Sequence, residues 1–194
     1  MYDSLLKYIY RYSSTPLANN EFELVKQAFS PKKLKRKQYF LQEGEVCWHS
    51  AFIVKGALRL YTVDDRDVEH TLQLAIENWW ITDWESWVTL TPSIYNIDAW
   101  EDSEMLLITR AKGIELVQNF PAFNEMVRKM DENRAIAVQK RLTASISLSA
   151  EKRYADFLQQ YPDLIQRFPQ HIIASYLGIA KETLSRIRKQ ALQK

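Results

Sequence analysis

The stretch Pro169–Gln190, PQHIIASYLGIAKETLSRIRKQ, decides how the chain is read. Its spacing describes two helices joined by a tight turn. Ala174 is small where two helices cross closely. Gly178, four residues on, supplies the positive φ that a short inter-helix turn needs. Leu184, six further along, is apolar where the second helix rests on the first. Ile173, Leu177, Ile179 and Ile187 complete one shared apolar face. The outward face of the second helix carries Lys181, Glu182, Thr183, Ser185, Arg186 and Lys189, whose side chains can hydrogen-bond base edges and phosphates. The pattern predicts a helix-turn-helix; an ordinary amphipathic helix pair is the plainer alternative.

Working outward, the 194 residues are 46% apolar, enough for one large domain or two small ones around a real core. No apolar run approaches the ~18 residues that span a bilayer. The N-terminal MYDSLLKYIYRYSS lacks the basic-then-apolar order of a secretion signal, so a cytoplasmic location is expected. Cys47 is the one cysteine, which excludes an internal disulfide and a protein-held iron–sulfur cluster. From Leu148 onward eight Lys/Arg face four Asp/Glu, a net +4, while the preceding residues carry eighteen against twenty, a net −2. A basic C-terminal unit on a mildly acidic body suits a DNA-binding domain joined to something else.

Met1–Arg11 and Asn20–Phe29 have helical spacing, with Asn19 or Asn20 as N-cap of the second. Between Lys35 and Arg110 the period changes to two: Ser50–Val63 alternates around Lys55-Gly56, Val68–Ile76 alternates, and Met105–Thr109 is strand-like. Asp64–Asp67 and Thr91–Ser93 read as turns. Such strands predict a β-sandwich or barrel. Helix returns at Gly113–Asn119 and runs long from Pro121 to Ser147, Pro121 suiting the first turn. Phe123, Val127, Met130, Ala137 and Ala144 form its apolar stripe, interrupted at Asn133 and Arg134, and Ile136, Val138 and Leu142 add more apolar surface. That stripe needs a partner, either the chain's own β-body or the same helix of a second subunit. Ala150–Gln160 is a further helix, followed by a Tyr161–Phe168 loop. The expected division is a sensor domain at 1–119, a connecting and dimerising helix at 120–147, and a DNA-binding domain at 148–194.

A β-body, a long helix and a terminal helix-turn-helix together resemble the Crp/Fnr family, that of the bacterial cyclic-AMP receptor protein. Gln42-Glu43-Gly44-Glu45 and Ile53-Val54-Lys55-Gly56 look like its strand-to-turn steps, and Ile179–Ile187 is similar to its recognition-helix signature. The resemblance implies an α+β fold: a cyclic-nucleotide-binding-like β-barrel (jelly roll), a dimerisation helix and a helix-turn-helix. It also implies a homodimeric transcription regulator that binds double-stranded DNA, with RNA polymerase and a small-molecule effector as further partners. By that resemblance Lys181, Glu182 and Arg186 read bases, while Thr183 and Ser185 contact phosphates. Arg186 suits guanine O6/N7, Glu182 the cytosine amino group.

Three departures accompany it. Ala180 stands where the family has a polar cap, a loss of about 1 kcal/mol. Only residues 191–194 follow the recognition helix, where the family has a β-hairpin wing. The effector site also differs. Thr82-Asp83 and Ser93-Ile94 stand near the family's Gly-Glu and Arg-Ser pairs, and no Arg or Lys lies between Trp79 and Ile97. A buried cyclic phosphate would lack a cationic partner, so control by cyclic AMP is not expected.

Trp80, Asp83, Trp84, Trp87 and Ser93 are the candidate lining of a different pocket, with Trp79 and Trp100 nearby; tryptophans filling the interior are the plainer reading. No cofactor is expected, because His49, His70 and His171 are scattered. No catalytic motif is present, so no enzyme is expected. The basic run Lys32–Lys37 suits a solvated strand face, or contact with DNA flanks or a polymerase. A binding module whose helix-turn-helix no longer meets DNA is the competing reading.

Overall fold

The computed structural model describes residues 1–191, and of Asn19 and Ala191 the backbone alone. Two helices come first, α1 (Tyr2–Tyr12) and α2 (Asn19–Ala28). The N-cap of α2 is Ala18 rather than an asparagine. The Glu21 carboxylate supplies the capping by accepting the Ala18 N–H at 2.7 Å.

Eight strands follow: β1 (Ser30–Leu34), β2 (Tyr39–Leu41), β3 (His49–Lys55), β4 (Leu58–Val63), β5 (Glu69–Ala75), β6 (Trp80–Ile81), β7 (Asn96–Ala99) and β8 (Ser103–Thr109), with a short helix α3 (Trp84–Thr89) after β6. They form two four-stranded antiparallel sheets, ordered β1-β8-β3-β6 and β2-β7-β4-β5. The sheets face each other as a jelly roll and do not close into the expected barrel. β6, at the edge of the first sheet, contributes only two residues.

Period-two alternation explains the packing. From β3 and β8, Ala51, Ile53 and Met105 point between the sheets, where they meet Leu58, Leu60 and Ile97. Phe52, Leu106 and Ile108 point the other way, into a second cluster with Leu5, Ile9, Val25 and Phe29 of the N-terminal segment. At the β3–β4 hairpin Gly56 has φ +100, and a Cβ there would lie 2.2 Å from Ser103 Oγ.

Helix α4 (Arg110–Asn119) starts earlier than its sequence spacing implies, because Thr109 caps it. Helix α5 (Pro121–Ser147) matches its expected span, and the chain ends in α6 (Ala150–Gln160), α7 (Pro162–Arg167), α8 (Gln170–Leu177) and α9 (Lys181–Ala191). The expected Tyr161–Phe168 loop is mostly α7: Pro162 opens it and Leu164 buries against α6.

Helix α5 meets two different surroundings along its length. Ala122, Phe123 and Met126 are buried against the body. Further along, Val138, Leu142 and Ile146 recur at four-residue spacing and are 61%, 60% and 78% exposed. The buried residues of its first half and the exposed row of its second half are thus two separate apolar surfaces.

The C-terminal helices are docked on the second sheet. Ala57 and Leu74 of the body share an apolar cluster with Phe157, Leu164, Phe168, Ile172 and Leu184. Arg167 of α7 binds Glu77 at 2.9 Å and Glu101 at 2.6 Å. β5 is an edge strand. The Thr71 N–H donates to Ser175 Oγ of α8 at 2.9 Å, and that hydroxyl donates to the Glu69 carbonyl at 2.9 Å. A bulge at Leu72 frees another carbonyl, and Arg141 of α5 donates to it as well as to the Thr71 and Tyr176 carbonyls.

Burial pushes the Glu77 carboxyl up, but the Arg167 guanidinium and the Gly56 N–H outweigh it and hold its pKa below the ordinary 4.5. As acid is added, the unfolded chain then takes the proton first. The link contributes fully above about pH 4.5 and is lost as the pH falls through the lowered value. The difference in thermal midpoint between wild type and Glu77→Gln is expected to be wide near about pH 6 and to narrow progressively as the pH falls below about 4.5. A pH-independent difference would contradict this role.

Candidate nucleic-acid interface

The α8–α9 pair is built as its spacing implies. Ile173, Ala174, Leu184 and Ile187 are buried at the helix crossing. Gly178 ends α8 with φ 64 and ψ 39, and its N–H donates to the Ser175 carbonyl at 3.0 Å. The Ile179 N–H reaches back to the Ala174 carbonyl at 3.0 Å, closing the α8 terminus. Arg153 of α6 donates to the Leu177 carbonyl at 2.9 Å and so ties the same terminus to the helix below. Ala180 precedes α9 and offers its carbonyl to Leu184 N–H at 3.1 Å, with no side-chain oxygen to cap the first turn.

This arrangement presents one row of polar side chains to solvent. Lys181, Glu182, Arg186 and Lys189 are exposed, and Thr183 and Ser185 half-exposed between them. Among the described residues none of the six donates or accepts a side-chain hydrogen bond, and no ion pair engages them. The face is thus bare of internal partners. Free donors and acceptors along one exposed helix face are what edge-on base reading uses. The wing expectation falls mainly on residues 192–194, which lie outside the described residues.

The tryptophan-rich segment is dispersed rather than gathered. Trp80 packs against β3 and α1, its ring 5.4 Å from Phe52 and 6.5 Å from Tyr8. Trp84 and Trp87 stand together on α3 at 5.4 Å. Trp79 meets Tyr161, and Trp100 meets Phe168, both against the C-terminal unit. Asp83 is buried and caps α3, accepting the Glu85 N–H at 3.1 Å. Ser93 is buried with its hydroxyl bonded to the Tyr95 backbone. Of the candidate pocket residues, the structure brings together Asp83, Trp84 and Trp87. A neighbour that sequence spacing misses is Arg134. It comes from α5 and sets its guanidinium 4.6 Å from the Trp84 ring. Cys47 is buried, with Sγ 3.3 Å from Thr82 Oγ1. Among the described residues no group of three or more His, Cys, Asp or Glu is placed to hold a metal. No helix among them is long and apolar enough to cross a membrane.

In the basic run, Lys33 pairs with Glu104 and Lys35 with Asp102, and Leu34 is buried. The strand face is solvated and partly neutralised.

No family model and no curated protein matches the chain by sequence. Solved structures do match it in fold. FixK2 from Bradyrhizobium japonicum superposes with a TM-score of 0.73 at 15% identity, over 85% of either chain. A CooA mutant from Carboxydothermus hydrogenoformans gives 0.69 at 21%, over 94% of this chain and 87% of the other. A Crp/Fnr-family transcriptional regulator from Thermus thermophilus gives 0.66 at 15%, over 84% and 86%. The chain therefore shares the fold of these structures: double-sheet body, long helix and helix-turn-helix in that order.

Two glycines provide a graded test of the geometry. Both have positive φ, but a Cβ at Gly178 finds its nearest neighbour at 3.6 Å, whereas at Gly56 it would meet Ser103 at 2.2 Å. Gly178→Ala should cost about 1–2 kcal/mol from backbone strain alone. Gly56→Ala should cost upward of about 3 kcal/mol, because a clash adds to the strain. Urea unfolding of the two variants checks this, and equal losses would contradict it.

Proposed function

We propose that the protein is a sequence-specific DNA-binding transcription regulator of the Crp/Fnr type, working as a homodimer without cyclic AMP. The observation that carries the reading is the polar row of α9, exposed and without internal partners on a helix that a buried crossing and a capped turn hold in place. In this reading α9 enters the major groove, with Arg186 and Glu182 on base edges, Lys181 and Lys189 on bases or phosphates, and Thr183 and Ser185 on phosphates.

The dimer is supported by the second half of α5. Its Val138–Leu142–Ile146 row is an apolar stripe that the chain itself leaves uncovered. A second copy of the helix would cover it and place two recognition helices on one side of a duplex. Independence from cyclic AMP is supported by the body. Asp83 uses its carboxylate to cap α3, the segment from Trp79 to Ile97 supplies no cation for a phosphate, and Arg134, which approaches from α5, is set over the Trp84 ring. The working division remains a sensor body at 1–119, a connecting helix at 120–147 and a DNA-binding unit from 148 onward.

Selection of bound sequences from a random duplex pool, at moderate salt and without added nucleotide, tests the reading. A two-fold symmetric motif is expected, with half-sites about 34 Å apart. Against the selected duplex, Arg186→Ala should lose about 1–3 kcal/mol and relax preference at one base pair per half-site. No enrichment, or an unchanged affinity in the variant, would contradict it.

A further inference from the structure

Where the chain crosses between the two sheets, the segment joining β2 to β3 and the segment joining α3 to β7 run side by side. Val46 and Pro92 form an antiparallel bridge. The Gly44 N–H donates to the Ser93 carbonyl and the Ser93 N–H to the Glu45 carbonyl, both at 2.8 Å. Ser86 clips the other end. Its hydroxyl accepts the Cys47 N–H at 2.8 Å and donates to the Thr91 carbonyl at 2.5 Å. Alternation sorts the side chains of this ribbon. Cys47 and Ser93 are on its inner side and buried. Trp48, Leu90 and Ile94 are 59%, 45% and 60% exposed, with Pro92 exposed and Val46 half-buried between them.

The ribbon therefore turns its apolar side chains to water, and an exposed apolar patch of this kind marks an interaction site. Leu90 adds a second observation. It holds the left-handed conformation, φ 58 and ψ 32, which glycine adopts freely and leucine only with strain. That strain is kept at a side chain the fold itself covers only in part.

The surroundings specify the occupant. Residues 42–48 and 84–96 contain no lysine or arginine, while Glu43, Glu45 and Glu85 are exposed. The negative field is felt at Tyr95, whose pKa is raised by burial and further by Asp83 and Glu85. Arg134, which approaches from α5, is set over the Trp84 ring. The ribbon backbone is also engaged: beyond the pairs above, the Glu43 N–H donates to Asn96 Oδ1 at 3.1 Å and the Leu90 N–H to the Ser86 carbonyl at 2.8 Å. An added strand would find little to pair with. A helix satisfies its own backbone and needs only side-chain contacts.

We propose that this ribbon is a docking surface for a cationic amphipathic helix of a partner protein, its apolar row on Trp48, Leu90 and Ile94 and its flanking lysines or arginines facing Glu43, Glu45 and Glu85. The surface lies on the body, and its use does not depend on what α9 binds.

Calorimetric titration of the full chain without DNA tests this. The probe is a synthetic peptide of about 18 residues, long enough to hold a helix, with leucines along one helical face and lysines elsewhere. It should bind saturably below about 100 μM. A peptide with glutamate in place of lysine, and one of unchanged composition with its leucines scattered around the helix, should each bind at least about tenfold more weakly. Trp48→Gln and, separately, Ile94→Gln should weaken the lysine peptide about tenfold, and Glu43→Gln combined with Glu85→Gln about fivefold. Leu90→Asn should weaken it about fivefold without lowering the thermal midpoint, because asparagine accepts the left-handed conformation; a merely structural leucine would not behave so. Leu24→Gln, at an exposed leucine of α2, should change nothing. No saturable binding up to about 1 mM overturns the proposal. So does an unchanged affinity in both the Trp48 and Ile94 variants, an equal loss in the Leu24 variant, or equal binding of the glutamate peptide. In sedimentation Trp48→Gln should match the wild type; a shift to a smaller species would mean that a second copy covers the ribbon. Phosphatidylcholine vesicles should not retain the chain; retention lost in Trp48→Gln would assign the patch to a lipid surface. Either result overturns the proposal and leaves the regulator reading untouched.

Discussion

The outer edge of β5 is the constraint on which the rest of the arrangement depends. An edge strand carries backbone donors and acceptors that no neighbouring strand satisfies, and left bare it invites pairing with other chains. In this protein the groups are taken by side chains from distant helices. Ser175 accepts from Thr71 and donates to Glu69, while Arg141 covers the Thr71 carbonyl and the one that the Leu72 bulge releases. Each such group left buried and unpaired would cost about 1–3 kcal/mol. The hydrogen bonds that finish the sheet are therefore the same ones that fix α8, and α8 in turn fixes α9. Helix-turn-helix and jelly roll are joined by backbone satisfaction, not by apolar contact alone.

Charge reinforces that seam. Arg167 stands between Glu77 and Glu101, and Glu77 also accepts the N–H of Gly56 at 2.7 Å. A residue of the C-terminal helical unit thereby touches the hairpin turn of the body through one carboxylate. Helix α5 supplies the second connection. Its first half is body core, its Arg141 reaches β5, and its far side keeps an apolar row for something outside the chain. The body thus has two physical connections to the α8–α9 pair, the β5 edge and α5.

What was legible in the sequence was local. The α8–α9 pair announced itself because Ala174, Gly178 and Leu184 each meet a steric requirement at short range. Helix α5 was found within its bounds because Pro121 marks its start. The hairpin around Gly56 followed from alternation. What was not legible depends on distant pairing. Nothing near Ser175 indicates that its hydroxyl closes a strand more than a hundred residues earlier. Arg134 could not be matched to Trp84 by scanning the loop around the tryptophans, since it arrives from another element. Helix α7 was too short to show a period. The tryptophans, neighbours in sequence, alternate between sheet faces and turns, and so ended in three separate clusters.

Amide-resolved hydrogen exchange at Thr71 tests the central claim most directly. Thr71 N–H has no strand partner on the outer side of β5; its acceptor is Ser175 Oγ. The account predicts slow exchange at Thr71 in the wild type, comparable with β5 amides paired to β4, and a selective loss of that protection in Ser175→Ala. Rapid exchange at Thr71 in the wild type, with the rest of β5 protected, would show that α8 does not close the edge and would detach the C-terminal helices from the body.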